Sequence, residues 1–117
     1  MNDKRQFVDT NILVYAHDSS AGAKHIRARA LLAELWRSNT GCLSIQVLQE
    51  FYVNITRKVA RPLDQDTARQ IIVDLGRWTV HSPTVNEVVE AIALQERHTL
   101  SFWDAMIVTS AIHLGCH

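Results

Sequence analysis

Apolar and polar positions change period several times along this chain, and each change marks an element. Residues 5–9 form a short run through Phe7 and Val8 that ends on Asp9, and they are expected as a first strand. Apolar positions then recur from Ile12 to His17 at helical spacing. Asp18-Ser19-Ser20-Ala21-Gly22 is rich in turn formers and is expected as a loop. A long helix is predicted over 23–38, closed by Asn39-Thr40-Gly41. Cys42-Leu43-Ser44-Ile45 suits a buried strand, and 46–60 a helix broken by Pro62. A further helix follows over 65–76. Residues 78–81 alternate as a third strand and stop at Ser82-Pro83. Thr84 and Glu87 have the spacing of a capping box, which opens a helix running to Arg97. A last helix starts around Ser101-Phe102-Trp103-Asp104 and stops at Gly115. Strands and helices alternating at these lengths predict a three-layer α/β/α fold with a central parallel sheet.

The 117 residues suffice for one domain with one core, so 1–117 is read as a single unit. The longest apolar runs are far too short to span a bilayer. The polar start, Met1-Asn2-Asp3-Lys4-Arg5, does not resemble a signal peptide. Cys42 and Cys116 make no disulfide framework, which fits a cytoplasmic location. Twelve basic residues balance twelve acids, so the chain lacks the general basic character of a non-specific nucleic-acid binder. Two basic clusters stand out, Lys24, Arg27 and Arg29, and Arg57, Lys58 and Arg61. They read either as solvated helix faces or as a rim of phosphate contacts, with Arg57 and Lys58 the candidates for phosphate.

Three acids occupy positions that ordinary surface acids do not. Asp9 stands at the C-terminal end of the first strand, where open α/β sheets bind their ligands. It is equally suited to cap the helix that follows, although Thr10 and Asn11 offer capping oxygens of their own. Glu50 borders the stripe formed by Val47, Leu48, Phe51, Tyr52 and Ile55, with Asn54 and Arg57 on the same edge. Its plain role is a boundary glutamate paired with an arginine. Asp104 shares its direction, within about 100° on a helical wheel, with Ile107, Val108, Ala111, Ile112 and Leu114, while Thr109, Ser110 and His113 lie opposite. A first-turn acid is stabilised by the helix dipole. That explains its place near the helix start but not its direction, and the pattern predicts Asp104 on a buried face. Carboxylates brought together repel one another, and a hard divalent cation with oxygen ligands relieves this. Phosphoryl chemistry is the usual work of such a site.

Phe-Val-Asp-Thr-Asn-Ile-Leu-Val-Tyr at 7–15, Gln-Val-Leu-Gln-Glu-Phe-Tyr at 46–52 and Leu-Ser-Phe-Trp-Asp-Ala-Met-Ile-Val at 100–108 together resemble the PIN domain. Within it they resemble the VapC-like toxins of bacterial toxin–antitoxin pairs. The three motifs match in order and spacing over nearly the whole chain. The resemblance implies a Mg²⁺- or Mn²⁺-dependent ribonuclease, with an RNA substrate, a protein antitoxin that blocks the acidic site, and a homodimer. Asp9, Glu50 and Asp104 fall on the family's first three acidic positions, and so on its catalytic and metal-binding residues. Thr10 and Asn11 match its polar residues after the first acid, and Ser101 its small residue before the third.

The family continues after the last helix into a strand carrying a fourth acid. Here the chain stops at Gly115-Cys116-His117, where that strand is expected to begin. The expected fold is therefore a PIN-like sandwich incomplete at its C-terminal end, with Gln6-Phe7-Val8 left at an open edge. Two functional readings stand. One is a metal-dependent endoribonuclease acting through Asp9, Glu50 and Asp104. The other is a degenerate or truncated module that binds antitoxin, or its own kind, without cleaving. A phosphatase of the haloacid-dehalogenase type needs an acid two residues after its nucleophile, where this chain has Asn11.

Overall fold

The computed structural model describes residues 4–116. Its elements are β1 (Gln6–Phe7), α1 (Thr10–His17), α2 (Ala23–Ser38), β2 (Gly41–Ser44), α3 (Ile45–Arg57), α4 (Gln65–Leu75), β3 (Thr79–His81), α5 (Val85–Arg97) and α6 (Phe102–Leu114), with one 3₁₀ turn over Ser19–Ala21. Among the described residues the three strands make one parallel sheet in the order β1-β2-β3. Phe7 pairs with Cys42, and Leu43 with Val80. Among the described residues no helix is long and apolar enough to cross a membrane.

Boundaries differ from expectation where a side chain or a main-chain turn intervenes. The first strand was expected to reach Asp9. Its ladder ends after the Val8 N–H donates to Cys42 O at 3.0 Å, because the Asp9 carboxylate turns to cap α1. Ile45 was expected in the second strand. The Ser44 hydroxyl accepts from the Val47 N–H at 3.2 Å, so α3 starts one residue earlier. That helix also stops at Arg57, before Pro62, and the Leu63 N–H folds back onto Ile55 O at 2.9 Å. The Thr84–Glu87 capping box forms as its spacing predicts. Gly115 closes α6 at φ 67°, in the left-handed region that favours glycine.

Alternate residues of β2 serve the two faces of the sheet. Leu43 joins the main core with Leu13 of α1 and Val47, Phe51 and Ile55 of α3. Cys42 meets Cys116, just past the end of α6, and burial followed by this contact pushes the Cys116 thiol up to about 12. β2 is thus covered on both faces and buried throughout. At its start, a Cβ on Gly41 would lie 2.5 Å from ring carbons of Trp78, so only glycine fits there. A smaller apolar cluster of Ala91, Ala105 and Met106 joins α5 to α6.

The helical-wheel expectation for α6 is overturned. Ala105, Met106, Thr109 and Ser110 are buried, whereas Asp104, Val108 and Ile112 are exposed. The reason is size. Alanine, serine and threonine allow close approach of α6 to its neighbours, and the Thr109 hydroxyl satisfies itself on Ala105 O at 2.8 Å. Small side chains therefore share the interior with Met106, while Val108 and Ile112 stay outside and Ile107 is half-buried against the main core.

Candidate functional site

Asp9, Glu50 and Asp104 come from α1's cap, α3 and the first turn of α6. Asp9 is exposed, and its Oδ1 accepts from the Ile12 N–H at 3.1 Å. Glu50 is half-buried at the border of the α3 stripe, as its spacing predicts. Asp104 is exposed, and its N–H donates to the capping hydroxyl of Ser101 at 3.0 Å. Among the described residues no three His, Cys, Asp or Glu side chains converge to hold one metal ion. The three acid-bearing segments are nevertheless joined through a continuous set of hydrogen bonds.

Glu50 is the centre of that set. Thr10, buried beside Asp9, donates its hydroxyl to Glu50 Oε1 at 2.7 Å. Gln46 stands one helical turn before Glu50 and donates through Nε2 to Glu50 Oε2 at 3.2 Å. The same amide nitrogen donates to the Trp103 carbonyl at 3.0 Å. Each Glu50 oxygen is thus held by a neutral donor, and each donor belongs to a segment carrying another acid or ties to one. Gln46 is only 7% exposed, so the amide that makes these part-buried bonds is largely withdrawn from water. Gln46 had no role in the sequence reading. Its spacing from Glu50 was a usable signal; its second partner, a main-chain carbonyl far along the chain, was not.

Beside Glu50 lies an open cleft of about 470 Å³, lined by Gln46, Gln49, Glu50, Val53, Asn54, Lys58 and Trp103. Lys58 therefore borders the same cleft as Glu50. Arg57, in the last turn of α3, is exposed but outside this lining. Asn11 is exposed in the first turn of α1, and Ser101 acts as a helix cap.

The donor chemistry suits a hard cation: three carboxylates, with no thiolate or imidazole among them. A cation that retains several waters does not need three side chains to close directly upon it. The residues present fit such a group in chemistry, with water completing its shell.

The PIN domain family model matches residues 7–117. Among solved structures the chain is similar to Mycobacterium tuberculosis VapC20, a toxin that cleaves the sarcin–ricin loop. The two share 22% identity at a TM-score of 0.70, over 94% of this chain and 83% of that one. No curated protein matches the sequence.

Proposed function

The chain belongs to the PIN-domain family, and we propose that it is a Mg²⁺- or Mn²⁺-dependent endoribonuclease, the toxin of a toxin–antitoxin pair. The observation that carries this reading is the hydrogen-bonded set Thr10–Glu50–Gln46–Trp103, which ties together the segments bearing Asp9, Glu50 and Asp104. A bound divalent cation supplies Lewis acidity that activates water and offsets charge developing on the phosphate. Asp9, Glu50 and Asp104 would hold it, directly or through water. Thr10 and Gln46 fix the Glu50 carboxylate with both oxygens engaged, so it is oriented before any ligand arrives. Lys58, at the end of α3 on the rim of the same cleft, would attract the phosphate chain.

The similar fold of VapC20, described as an RNA-cleaving toxin, supports the toxin role. A protein antitoxin, a homodimer and a cytoplasmic location belong to the same proposal, as does the treatment of residues 1–117 as one PIN-like domain. The second reading, a PIN module that binds without cleaving, is favoured by one observation. No three acidic or histidine side chains converge among the described residues.

A single assay separates the two readings. The chain should cleave RNA when titrated with Mg²⁺ or Mn²⁺, and EDTA should abolish cleavage. Asp9→Asn should remove cleavage while leaving the fold intact, because the amide keeps the shape and loses the charge. Cleavage that persists in EDTA sinks the metal-dependent reading. A folded chain inert at every metal concentration supports the binding module.

A further inference from the structure

We propose that the cleft beside Glu50 is a subsite for one unpaired nucleobase, with the Trp103 indole as its stacking platform. This rests on the reading of the chain as a ribonuclease and adds to it the part of the substrate that the site grips.

Trp103 is 60% exposed, although it immediately precedes Asp104 in the first turn of α6. Its surroundings hold it in place. Its carbonyl is fixed by Gln46 Nε2 at 3.0 Å, and its ring meets Phe102 edge-on with centroids 5.3 Å apart. A large aromatic surface is thus held open to water one residue from a candidate metal-binding acid. The cleft it lines falls within the roughly 300–1,000 Å³ of small-ligand sites.

The rest of the lining suits a nucleotide. The side-chain amides of Gln49 and Asn54 each offer donors and an acceptor to a base edge. Lys58 offers a cation to the sugar–phosphate chain. Glu50 is the only acid in the lining, and it is already engaged by Thr10 and Gln46. A base paired within a duplex cannot present its face to a side chain, whereas a splayed base in a loop or single strand can. The subsite therefore selects RNA with an unpaired base next to the phosphate being cut.

Binding to the Asp9→Asn protein in Mg²⁺ tests this without cleavage. The probes are labelled short oligouridylate and oligoadenylate and a blunt RNA duplex, followed by fluorescence anisotropy. Adding Trp103→Ala should weaken single-strand binding roughly 5- to 150-fold, the range for losing one base–aromatic stack. Trp103→Leu, which keeps apolar bulk without a π face, should weaken it similarly, and Trp103→Phe should largely restore it. Duplex binding should change little in all three.

Unchanged single-strand binding in Trp103→Ala overturns the subsite and turns Trp103 towards a protein contact. Equal losses on single strand and duplex overturn it too, as does Trp103→Leu binding like the parent. In each of these cases the ribonuclease reading stands. A parent that binds none of the three RNAs overturns the subsite, and a wild-type chain that also neither binds nor cleaves them in Mg²⁺ takes down the ribonuclease reading with it.

Discussion

The Asp9 carboxylate accepts the Ile12 N–H and so closes the first turn of α1, while its position beside Thr10 brings it to the Glu50 network. Two substitutions separate the cap from the chemistry. Asn caps helices as well as Asp does, whereas Ala forfeits about 1 kcal/mol. Urea unfolding should therefore find Asp9→Asn close to wild type and Asp9→Ala about 1 kcal/mol less stable, with cleavage lost in both. If Asp9→Asn destabilised as much as Asp9→Ala, the carboxylate would have a structural role beyond capping. Gln46 makes the complementary case. Gln46→Leu keeps the bulk but leaves Glu50 Oε2 and Trp103 O without their donor in a part-buried place. The expected cost is about 1–3 kcal/mol, read from the shift in urea midpoint. An unchanged midpoint would mean that water replaces the amide at no cost, and that Gln46 orients nothing. The cap at Asp9 and the border position of Glu50 were legible in the sequence, unlike the exposure of Asp104, because each follows a recognisable local pattern. Gln46 and Trp103 were not, because their importance arises from one hydrogen bond between residues 57 positions apart.

At the level of elements, β3, α5 and α6 are joined by a cluster of ionisable groups. His81 of β3 bonds to Glu87 of α5, and His113 of α6 bonds to Glu90 at 2.8 Å and lies 3.6 Å from Glu87. The two imidazoles stack with centroids 5.9 Å apart. The Thr84 N–H bonding to Glu87, and then His81, hold the Glu87 carboxyl down at about 2, below its ordinary 4.5. The Glu90 bond, and then the charge of Glu87, raise His113 above its ordinary 6.5. The signs are opposite. The Glu87 contribution is present above pH 4.5 and is lost as pH falls towards 2. The His113 contribution is complete below pH 6.5 and is lost as pH rises through its raised value. Stability from this cluster should therefore be greatest between about pH 4.5 and 6.5. Glu87→Gln tests this, because glutamine can still complete the capping box but carries no charge. Urea midpoints measured across pH should lose the acid limb in the variant and soften the alkaline one. A wild-type midpoint that is flat above pH 6.5 would remove His113 from the account. The alternation of strands and helices was legible because helical and strand periods differ plainly. The buried face of α6 was not, because a polarity wheel counts Thr109 and Ser110 as surface residues. Packing treats them as small ones with satisfied hydroxyls.

For the molecule as a whole, association turns on which exposed features matter most. Among the described residues β1 pairs only with β2, so one of its edges carries unpaired main-chain groups. With two residues in its ladder, that edge is too short to template much pairing. The exposed aliphatic side chains weigh more. Val85, Val89 and Ile92 follow i, i+4, i+7 spacing on α5, and the first two are 80% and 61% exposed. Ile112, 64% exposed, lies along the α5–α6 cleft with Glu90 and Ala93. Fully burying one such side chain contributes about 1.5–3 kcal/mol. Two copies of the α5 stripe, with Ile112 a separate exposed side chain on α6, have several kcal/mol to gain, comparable to the roughly 4–15 kcal/mol cost of association. The chain's zero formal charge adds no net repulsion between copies. The expected outcome is a concentration-dependent homodimer rather than a permanent one. Sedimentation velocity at rising concentration should show the shift to dimer, and Val89→Lys with Ile112→Lys should hold the chain monomeric without unfolding it. A wild-type chain that stays monomeric at high concentration would leave this face without a role in self-association. Dimerisation that survives the double lysine variant would place the contact elsewhere on the molecule.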